Sequence, residues 1–319
     1  MAKRTKISRR EFLETSGLAV GAAALAGSPG AVEAAATIPH RTLGRTGVSI
    51  PILALGCGSR FLMYPAEQAS AVLEKALGLG INYLDTAIDY GDGESETRVG
   101  RVMATHRKDV FLATKVPTRA RTRDLALKEV EASLKRLQTD HVDLLHIHSL
   151  GQEDDLARIE AADGVLKALY ELREQKVARF IGMTSHTDGA VMAKAIERND
   201  LDCVQMAMNP ARALRFEGLA LPAAKKKDLG VILMKVTAQE KLLGPDGAAP
   251  AALLRYAWTL PVSTVVCGMP KLEHLEANVA SARAFTPMPP ADMDGLRTRL
   301  AGRQVALEHF FAHHHDGLA

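Results

Sequence analysis

The chain has 319 residues, of which 47% are hydrophobic and 24% charged, a composition that indicates a globular protein with a sizeable core and excludes extensive disorder. The formal net charge is +3 for the whole chain. Beyond residue 36 the sequence has 35 basic and 34 acidic residues and is nearly neutral, so we expect no nucleic-acid partner. Cys57, Cys203 and Cys267 are odd in number and far apart, which excludes a disulfide framework and a CxxC metal site.

Residues 1–36 have the pattern of an export signal. Five Lys and Arg residues stand among the first ten, a weakly apolar stretch follows over Gly17–Val32, and small residues close the segment at Ala34–Ala36. The run SRREFL, with its pair Arg9-Arg10, resembles the twin-arginine signal. The resemblance implies recognition by the twin-arginine translocation machinery and a periplasmic location. The alternative is a chance arginine pair on a frayed N-terminal helix.

The apolar stretch Gly17–Val32 is only 16 residues long and rich in Gly and Ala, so it is a poor membrane span. No later segment approaches 18 uninterrupted apolar residues. We therefore expect no stable membrane span in the mature protein.

Beyond His40, short apolar runs alternate with stretches of helical periodicity. The predicted strands are 52–57, 81–86, 109–115, 142–148, 179–184, 203–208, 231–236 and 263–267. The predicted helices are 66–79, 95–106, 123–137, 164–175, 189–198, 217–227, 250–259 and 271–283, and a further amphipathic stretch follows at 290–307.

Eight strand–helix units in about 280 residues predict an α/β fold of the (β/α)8 TIM-barrel type. A doubly wound sheet is the alternative, but the turn at Gly56–Arg60 does not complete the GxGxxG phosphate loop that such a sheet usually carries. The segment 41–51 predicts a short hairpin ahead of the first barrel strand. No linker divides the rest, so we predict one barrel domain over residues 37–319.

Polar side chains stand where the predicted strands end. Asp85 and Tyr90 follow the second strand, Lys115 ends the third and His148 the fourth. Because catalysis in such barrels takes place at the carboxyl ends of the strands, these four side chains predict one reactive cluster. Capping by Asp85 and a surface turn at Tyr90 are the structural alternatives.

An ordered set of segments resembles the aldo-keto reductase superfamily over essentially the whole mature chain. The segments are GINYLDTAIDYG at 80–91 with ESE at 94–96, TKV at 114–116, DLLHIH at 143–148, RFIG at 179–182, Gly268 and LEAN at 275–278. The resemblance implies an oxidoreductase that reduces an aldehyde or ketone to an alcohol, or the reverse, with NADP as cofactor and NAD as a possible second one.

The resemblance assigns the catalytic roles to Tyr90, Asp85, Lys115 and His148. Elementary chemistry agrees, since a phenol with an ordinary pKa near ~10 is a sluggish acid unless a cation beside it favours the phenolate. Lys115 supplies that cation, Asp85 keeps the ammonium charged and fixed, and His148 orients the substrate oxygen. Tyr90 is then the general acid.

The resemblance also implies a set of cofactor residues with several departures from the family pattern. His186 stands where Asn is frequent, Val236 replaces the aromatic residue that stacks on the nicotinamide, and His274 replaces an Arg that clamps a 2′-phosphate. The predicted cofactor-binding residues are Ser185, His186, Gln205, Lys241, Gly268, Lys271, His274 and Asn278.

Other candidates have simpler interpretations. His146 is predicted to be a packed interior histidine one layer below His148, and Asp89 and Asp92 to be solvated loop residues. We predict no functional metal site, since His309 and the run at 313–315 have no paired carboxylates and no cysteine nearby.

Three other functions remain open at this point. A non-catalytic nicotinamide-nucleotide-binding subunit, sensory or regulatory, would not need all four catalytic residues. A barrel aldolase would use Lys115 as a Schiff-base lysine, and a barrel hydrolase would need a metal triad.

Overall fold

The computed structural model describes residues 37–312, so the predicted export signal and the histidines at 313–315 lie outside the described residues. The strands, β1 to β10, are His40–Thr42, Ser49–Pro51, Leu53–Gly56, Tyr83–Asp85, Phe111–Val116, Val142–Ile147, Ala178–Ser185, Cys203–Ala207, Gly230–Met234 and Thr264–Cys267. The helices, α1 to α12, are Ser59–Leu62, Ala69–Gly78, Glu94–His106, Arg123–Leu137, Glu153–Ile159, Val165–Glu174, Gly189–Arg198, Leu221–Lys226, Pro250–Thr259, Leu272–Arg283, Pro290–Leu300 and Gln304–Ala312.

Strands β3 to β10 form a closed barrel of eight parallel strands in sequential order, with helices in the connections. The predicted (β/α)8 barrel with a short N-terminal hairpin is confirmed. The barrel strands are buried almost throughout, as expected of parallel strands covered on both faces. Local signals set some helix starts: the Asp188 carboxylate accepts a hydrogen bond from Ala190 N–H at α7, and Pro250 opens α9.

The hairpin β1–β2 closes the amino-terminal end of the barrel. Leu43 and Ile50 are fully buried there against the lowest interior side chains, which include Tyr83 and Cys203. Arg45 N–H donates to Asp228 O at 2.6 Å and ties the hairpin to the loop before β9. We call this closure the hairpin floor, and it leaves the carboxyl ends of the strands as the open end.

Three features differ from the expected pattern. The short helices α1 and α5 lie in segments for which the sequence predicted neither helix nor strand, because one or two turns carry too few residues to show a periodicity. The predicted helix 217–227 begins with a wide π-helical turn over Phe216–Ala220 before α8. The stretch 290–307 is two helices, α11 and α12, joined by a 3₁₀ turn at Ala301–Arg303.

No helix within residues 37–312 has both the length and the apolar character needed to cross a bilayer.

Candidate active site

Lys115 and Asp85 form a buried ion pair at the open end of the barrel. Asp85 ends β4 beside Ala113 of β5, and Lys115 lies two residues further along β5, so both side chains lie on the interior face. Lys115 Nζ donates to Asp85 Oδ1 at 2.7 Å and to Thr86 O at 2.8 Å. Both side chains are about 1% exposed. The pairing keeps a charged ammonium where an isolated one would be strongly disfavoured.

Tyr90 and His148 complete the cluster. Lys115 Nζ lies 4.8 Å from the centroid of the Tyr90 ring. The Tyr90 and His148 rings are 5.7 Å apart between centroids and nearly perpendicular, at 86°. The structure therefore brings all four predicted catalytic side chains together. An ammonium this close to a phenol favours the phenolate form and so assists proton transfer by the hydroxyl.

Asp89 is a member of the cluster that the sequence interpretation missed. Its carboxylate lies 2.9 Å from His148 Nδ1 and 3.1 Å from Arg119. Burial opposes ionisation, but the hydrogen bond with His148 and the charges of His148 and Arg119 bring the pKa of Asp89 below its usual value. Its interpretation as a solvated loop residue is wrong, whereas Asp92 is exposed as expected.

Arg121 braces the backbone that carries His148. Its guanidinium forms a two-pronged pair with Asp155 of α5, at 2.8 and 2.9 Å, and also donates to the carbonyls of His148 and Ser149 at 2.9 and 3.1 Å. The planar, forked guanidinium suits such multiple contacts. The loop after β6 is thereby held in place although it lies outside the sheet.

A cavity of about 460 Å³ extends from this cluster across the open end of the barrel. Asp85, Tyr90 and Gln205 line its inner end, and the loops after β3, β9 and β10 line the remainder. Val236 is in the wall, so the aliphatic side chain predicted in place of a stacking aromatic does face the cavity.

Four of the eight predicted cofactor residues line this cavity, namely Gln205, Gly268, His274 and Asn278. Gln205 Oε1 and Asp85 Oδ2 are buried and have no hydrogen-bond partner among the described residues. Buried polar atoms normally have partners, so these oxygens suit a ligand that brings hydrogen-bond donors, such as a carboxamide. A Cβ on Gly268 would lie 2.9 Å from Arg60 Cβ, so a glycine keeps this part of the wall open.

The other four predicted cofactor residues are absent from the described lining. Ser185 is buried, and its hydroxyl donates to Leu150 O at 2.8 Å. His186 Nε2 lies 3.3 Å from Ser149 Oγ. Lys241 Nζ lies 4.4 Å from the Phe310 ring centroid, and Lys271 is an exposed residue at the start of α10.

Arg60 and Glu240 also line the cavity, and sequence reasoning did not single them out as site residues. Their side chains form an ion pair at 3.2 Å that joins α1 to the loop after β9. Three consecutive residues of that loop, Ala238, Gln239 and Glu240, have positive φ angles. Non-glycine residues rarely adopt positive φ angles, so the sequence did not predict the backbone conformation of this loop.

His146 is fully buried, as predicted. A Cβ on Gly182 of β7 would lie 2.7 Å from His146 Nδ1, so only glycine fits beside this ring. Burial, with the charges of Lys115 and His148, lowers the pKa of His146 well below its usual value. His146 therefore packs as a neutral ring. Among residues 37–312, no group of three His, Cys, Asp or Glu side chains is arranged to hold a metal ion.

A closed parallel barrel with a polar cluster at the carboxyl ends of its strands is the architecture of a (β/α)8 enzyme. The protein is an oxidoreductase. The chain belongs to the Aldo/keto reductase family, whose sequence model matches residues 53–246.

The chain is similar to several known proteins. It is 28% identical over 287 residues to the uncharacterized oxidoreductase YqkF of Bacillus subtilis (strain 168), covering 76% of this chain and 91% of that protein. It is 31% identical over 227 residues to D-threo-aldose 1-dehydrogenase of Pseudomonas sp, covering 60% of this chain and 67% of that protein.

A solved structure shares the fold. The holo form of aldo-keto reductase AKR11C1 from Bacillus halodurans superposes with a TM-score of 0.69 at 23% identity, covering 82% of this chain and 96% of that one.

Proposed function

We propose that the protein is an NAD(P)-dependent oxidoreductase that interconverts a small-molecule aldehyde or ketone and its alcohol, with Tyr90 as the general acid. The observation that carries the proposal is the buried Lys115–Asp85 pair, whose ammonium lies 4.8 Å from the centroid of the Tyr90 ring at the inner end of the cavity. Burial of the Lys115 ammonium costs solvation free energy. Its position beside Tyr90 gives the buried charge a function, because it lowers the barrier for proton transfer from the tyrosine hydroxyl.

Each side chain of the cluster then has a defined task. Asp85 and Thr86 O hold the ammonium in one place, and the ammonium stabilises negative charge on the Tyr90 oxygen. During reduction Tyr90 delivers its proton to the substrate oxygen as negative charge develops there, and in the reverse direction it takes that proton back. His148 hydrogen-bonds the same oxygen and orients the carbonyl toward Tyr90.

The cavity residues fit a nicotinamide dinucleotide, which when bound supplies or accepts the hydride. Gln205, with its unpartnered Oε1, would hold the carboxamide, and His274 and Asn278 on α10 would hold the adenosine end. Gly268 leaves room for close approach of the ligand. NADP is the proposed cofactor and NAD is accepted as well.

Consumption of NADPH with a generic aromatic aldehyde tests the proposed function. Turnover supports the reductase. Cofactor binding without turnover over a broad set of aldehydes and ketones, and without oxidation of the matching alcohols, would instead support a nucleotide-binding sensory subunit. Trapping of Lys115 by borohydride in the presence of a carbonyl substrate would support the aldolase chemistry.

The cofactor preference is expected to depend on His274. This side chain is exposed on α10 and lines the cavity. The variant His274→Arg should bind NADPH more tightly by ~1–3 kcal/mol, because a guanidinium pairs with the 2′-phosphate in two places, and should bind NADH almost unchanged. Fluorescence titration of both proteins with each reduced cofactor measures this difference.

His141→Arg is the matched control, since His141 is an exposed histidine just before β6, at the opposite end of the barrel. It should change neither affinity. Equal tightening for both cofactors in His274→Arg, or none for either, would show that His274 is not near the 2′-position.

Export by the twin-arginine route is the second part of the proposal. Replacing both Arg9 and Arg10 with lysine should leave the protein folded and active in the cytoplasm, because the pair is read by a receptor and lies outside the barrel sequence. Cell fractionation followed by an activity assay measures the distribution. The single variant Arg4→Lys should be exported normally, and undiminished periplasmic activity in the double variant would contradict the assignment.

A further inference from the structure

Ser95 contacts three segments of the chain at the open end of the barrel. It is the second residue of α3 and is fully buried. Its hydroxyl lies 2.7 Å from the Thr86 hydroxyl and donates to Cys57 O at 2.5 Å, and its N–H donates to Tyr90 O at 3.2 Å. Thr86 directly follows β4, and Cys57 directly follows β3. One serine therefore joins the ends of two neighbouring strands to the loop that carries Tyr90.

The direction of the side-chain hydrogen bonds follows from a count of protons. A hydroxyl has a single proton, and that of Ser95 is donated to Cys57 O. The Thr86 hydroxyl must therefore donate to Ser95 Oγ. Both side chains are inaccessible to solvent, so bulk water does not replace either partner. The two bonds hold the Thr86 side chain in one orientation.

The orientation of Thr86 matters because its carbonyl is one of two acceptors that hold the Lys115 ammonium. Lys115 Nζ lies 2.8 Å from Thr86 O and 2.7 Å from Asp85 Oδ1. Thr86 N–H is fixed by Ala113 O at 2.9 Å, but the Thr86 carbonyl lies beyond the last residue of β4. The hydrogen bond to Ser95 restrains this residue where the strand no longer does.

The neighbouring residue, Glu96, holds the strand that carries Lys115. Its fully buried carboxylate accepts hydrogen bonds from Thr114 Oγ1 at 2.6 Å and from Arg136 Nε at 2.8 Å. Thr114 directly precedes Lys115 on β5. Loss of the Ser95 hydroxyl leaves these contacts in place, so its effect should be confined to the residue after β4.

We propose that Ser95 is a positioning residue that keeps the Thr86 carbonyl directed at Lys115 and thereby fixes the ammonium beside the Tyr90 phenol. The inference rests on the proposed function and deepens it, since it adds a residue that does not line the cavity to the proton-transfer unit. Without the Ser95 hydroxyl, the ammonium should be held less firmly at its distance of 4.8 Å from the ring centroid. The phenolate form of Tyr90 is then stabilised less.

Several charged and titratable groups bear on the Tyr90 phenol, and Lys115 is the one that favours the phenolate most directly. The others are Asp85 paired with Lys115, His148 and Asp89 in mutual contact, Arg119 paired with Asp89, and Arg60 and Glu240 in the cavity wall. The substitution Ser95→Ala removes a hydroxyl and leaves all of these charges in the chain. A change in the titration of Tyr90 therefore reports a displacement of these groups.

The near-ultraviolet absorbance of tyrosinate follows the titration of Tyr90 without substrate or cofactor. The chain has five tyrosines, and burial raises the pKa values of the other four. Subtraction of the curve for the same protein carrying Tyr90→Phe isolates the Tyr90 transition. In Ser95→Ala its midpoint should rise by roughly 0.5–1 pH unit. Thr86→Val, which removes the donor and keeps Ser95 bonded to Cys57 O, should give the same rise.

Ser263→Ala is the matched control. The Ser263 hydroxyl donates to Thr42 O of the hairpin at 3.0 Å, so this variant loses the same kind of hydrogen bond at the opposite end of the barrel. It should leave the Tyr90 midpoint unchanged. The double variant Ser95→Ala, Thr86→Val should shift the midpoint no further than the larger single shift, because both substitutions remove the same bond.

Kinetics provide the functional test. In Ser95→Ala, kcat for carbonyl reduction should fall about tenfold with KM almost unchanged, because displacement of the ammonium affects proton transfer more than binding. Alcohol oxidation requires the phenolate, so the rise of its kcat/KM with pH should move upward together with the Tyr90 midpoint. A residue with only a structural role would lower the resistance to urea and leave the midpoint where it is.

An unchanged or lowered Tyr90 midpoint in either Ser95→Ala or Thr86→Val would overturn the proposal, as would an equal rise in Ser263→Ala. Thr86→Val decides the matter if Ser95→Ala fails to fold. If the protein turned over no carbonyl or alcohol at all, the proposed function would fall, and the tyrosinate titration would still decide the role of Ser95.

Discussion

Replacement of Tyr90 by phenylalanine is expected to lower kcat for carbonyl reduction by about 10²–10⁴-fold, the usual contribution of a positioned general acid. The hydroxyl acts as charge develops on the substrate oxygen, so its loss should appear in kcat while the affinity for reduced cofactor changes little. The ring itself is retained, and with it the contacts to Lys115 and His148. Steady-state rates and cofactor titration with the same protein separate the two quantities.

Tyr64→Phe is the matched control. Its hydroxyl is buried, and the residue is not among those that line the cavity. Normal kcat in this variant would show that loss of a tyrosine hydroxyl is not harmful in general. Retention of more than about a tenth of wild-type kcat in Tyr90→Phe would contradict the general-acid role, because the expected loss begins at ~10²-fold.

Replacement of Lys115 by methionine is expected to damage both stability and catalysis. Methionine has nearly the same length but leaves the Asp85 carboxylate buried without its counter-ion. Breaking a buried pair in this way costs about 3–5 kcal/mol of unfolding free energy, because the remaining charge is neither solvated nor paired. Urea unfolding of the variant measures the loss, and kcat should fall together with stability.

The double variant Lys115→Met, Asp85→Asn separates the two effects. Removal of both charges should recover most of the stability, since no unpaired ion remains, whereas catalysis should stay low because the ammonium is still missing. Lys135→Met is the control for removal of a lysine from an exposed pair. Lys135 pairs with Glu131 on the surface of α4, and its loss should cost less than about 1 kcal/mol. Recovered activity in the double variant would contradict the proposed task of Lys115.

The barrel was predictable because the alternation of an apolar strand with an amphipathic helix is repeated eight times. Each predicted barrel strand agrees with an observed one to within about two residues at either end, since buried parallel strands must be continuous apolar runs. Helix α5 carried no such repeat, and its seven residues are too few to establish a period. The positive φ angles of residues 238–240 could not be predicted from the sequence either. None of these residues is glycine, and the loop imposes their conformation.

The candidate catalytic cluster was predictable for a related reason. The residues at the carboxyl ends of adjacent parallel strands must meet, and two-residue spacing fixes which side chains point inward, so Asp85, Lys115 and His148 were found. Asp89 was missed because its partner lies two strands away across the barrel mouth, a separation that no local pattern encodes. Ser185 was placed on the right strand, but a hydrogen bond to Leu150 O decides where its hydroxyl points.

Cys203 lies against the hairpin floor, fully buried near Leu43, and burial keeps the pKa of its thiol well above the ordinary value. A protonated, inaccessible thiol reacts with an alkylating reagent only after the surrounding structure opens. The rate of Cys203 modification therefore reports on transient detachment of β1–β2. Peptide mass spectrometry identifies Cys203 as the modified residue. Because the candidate catalytic cluster lies at the far end of the barrel, a ligand bound there should lower the rate of Cys203 modification only if the two ends are energetically coupled.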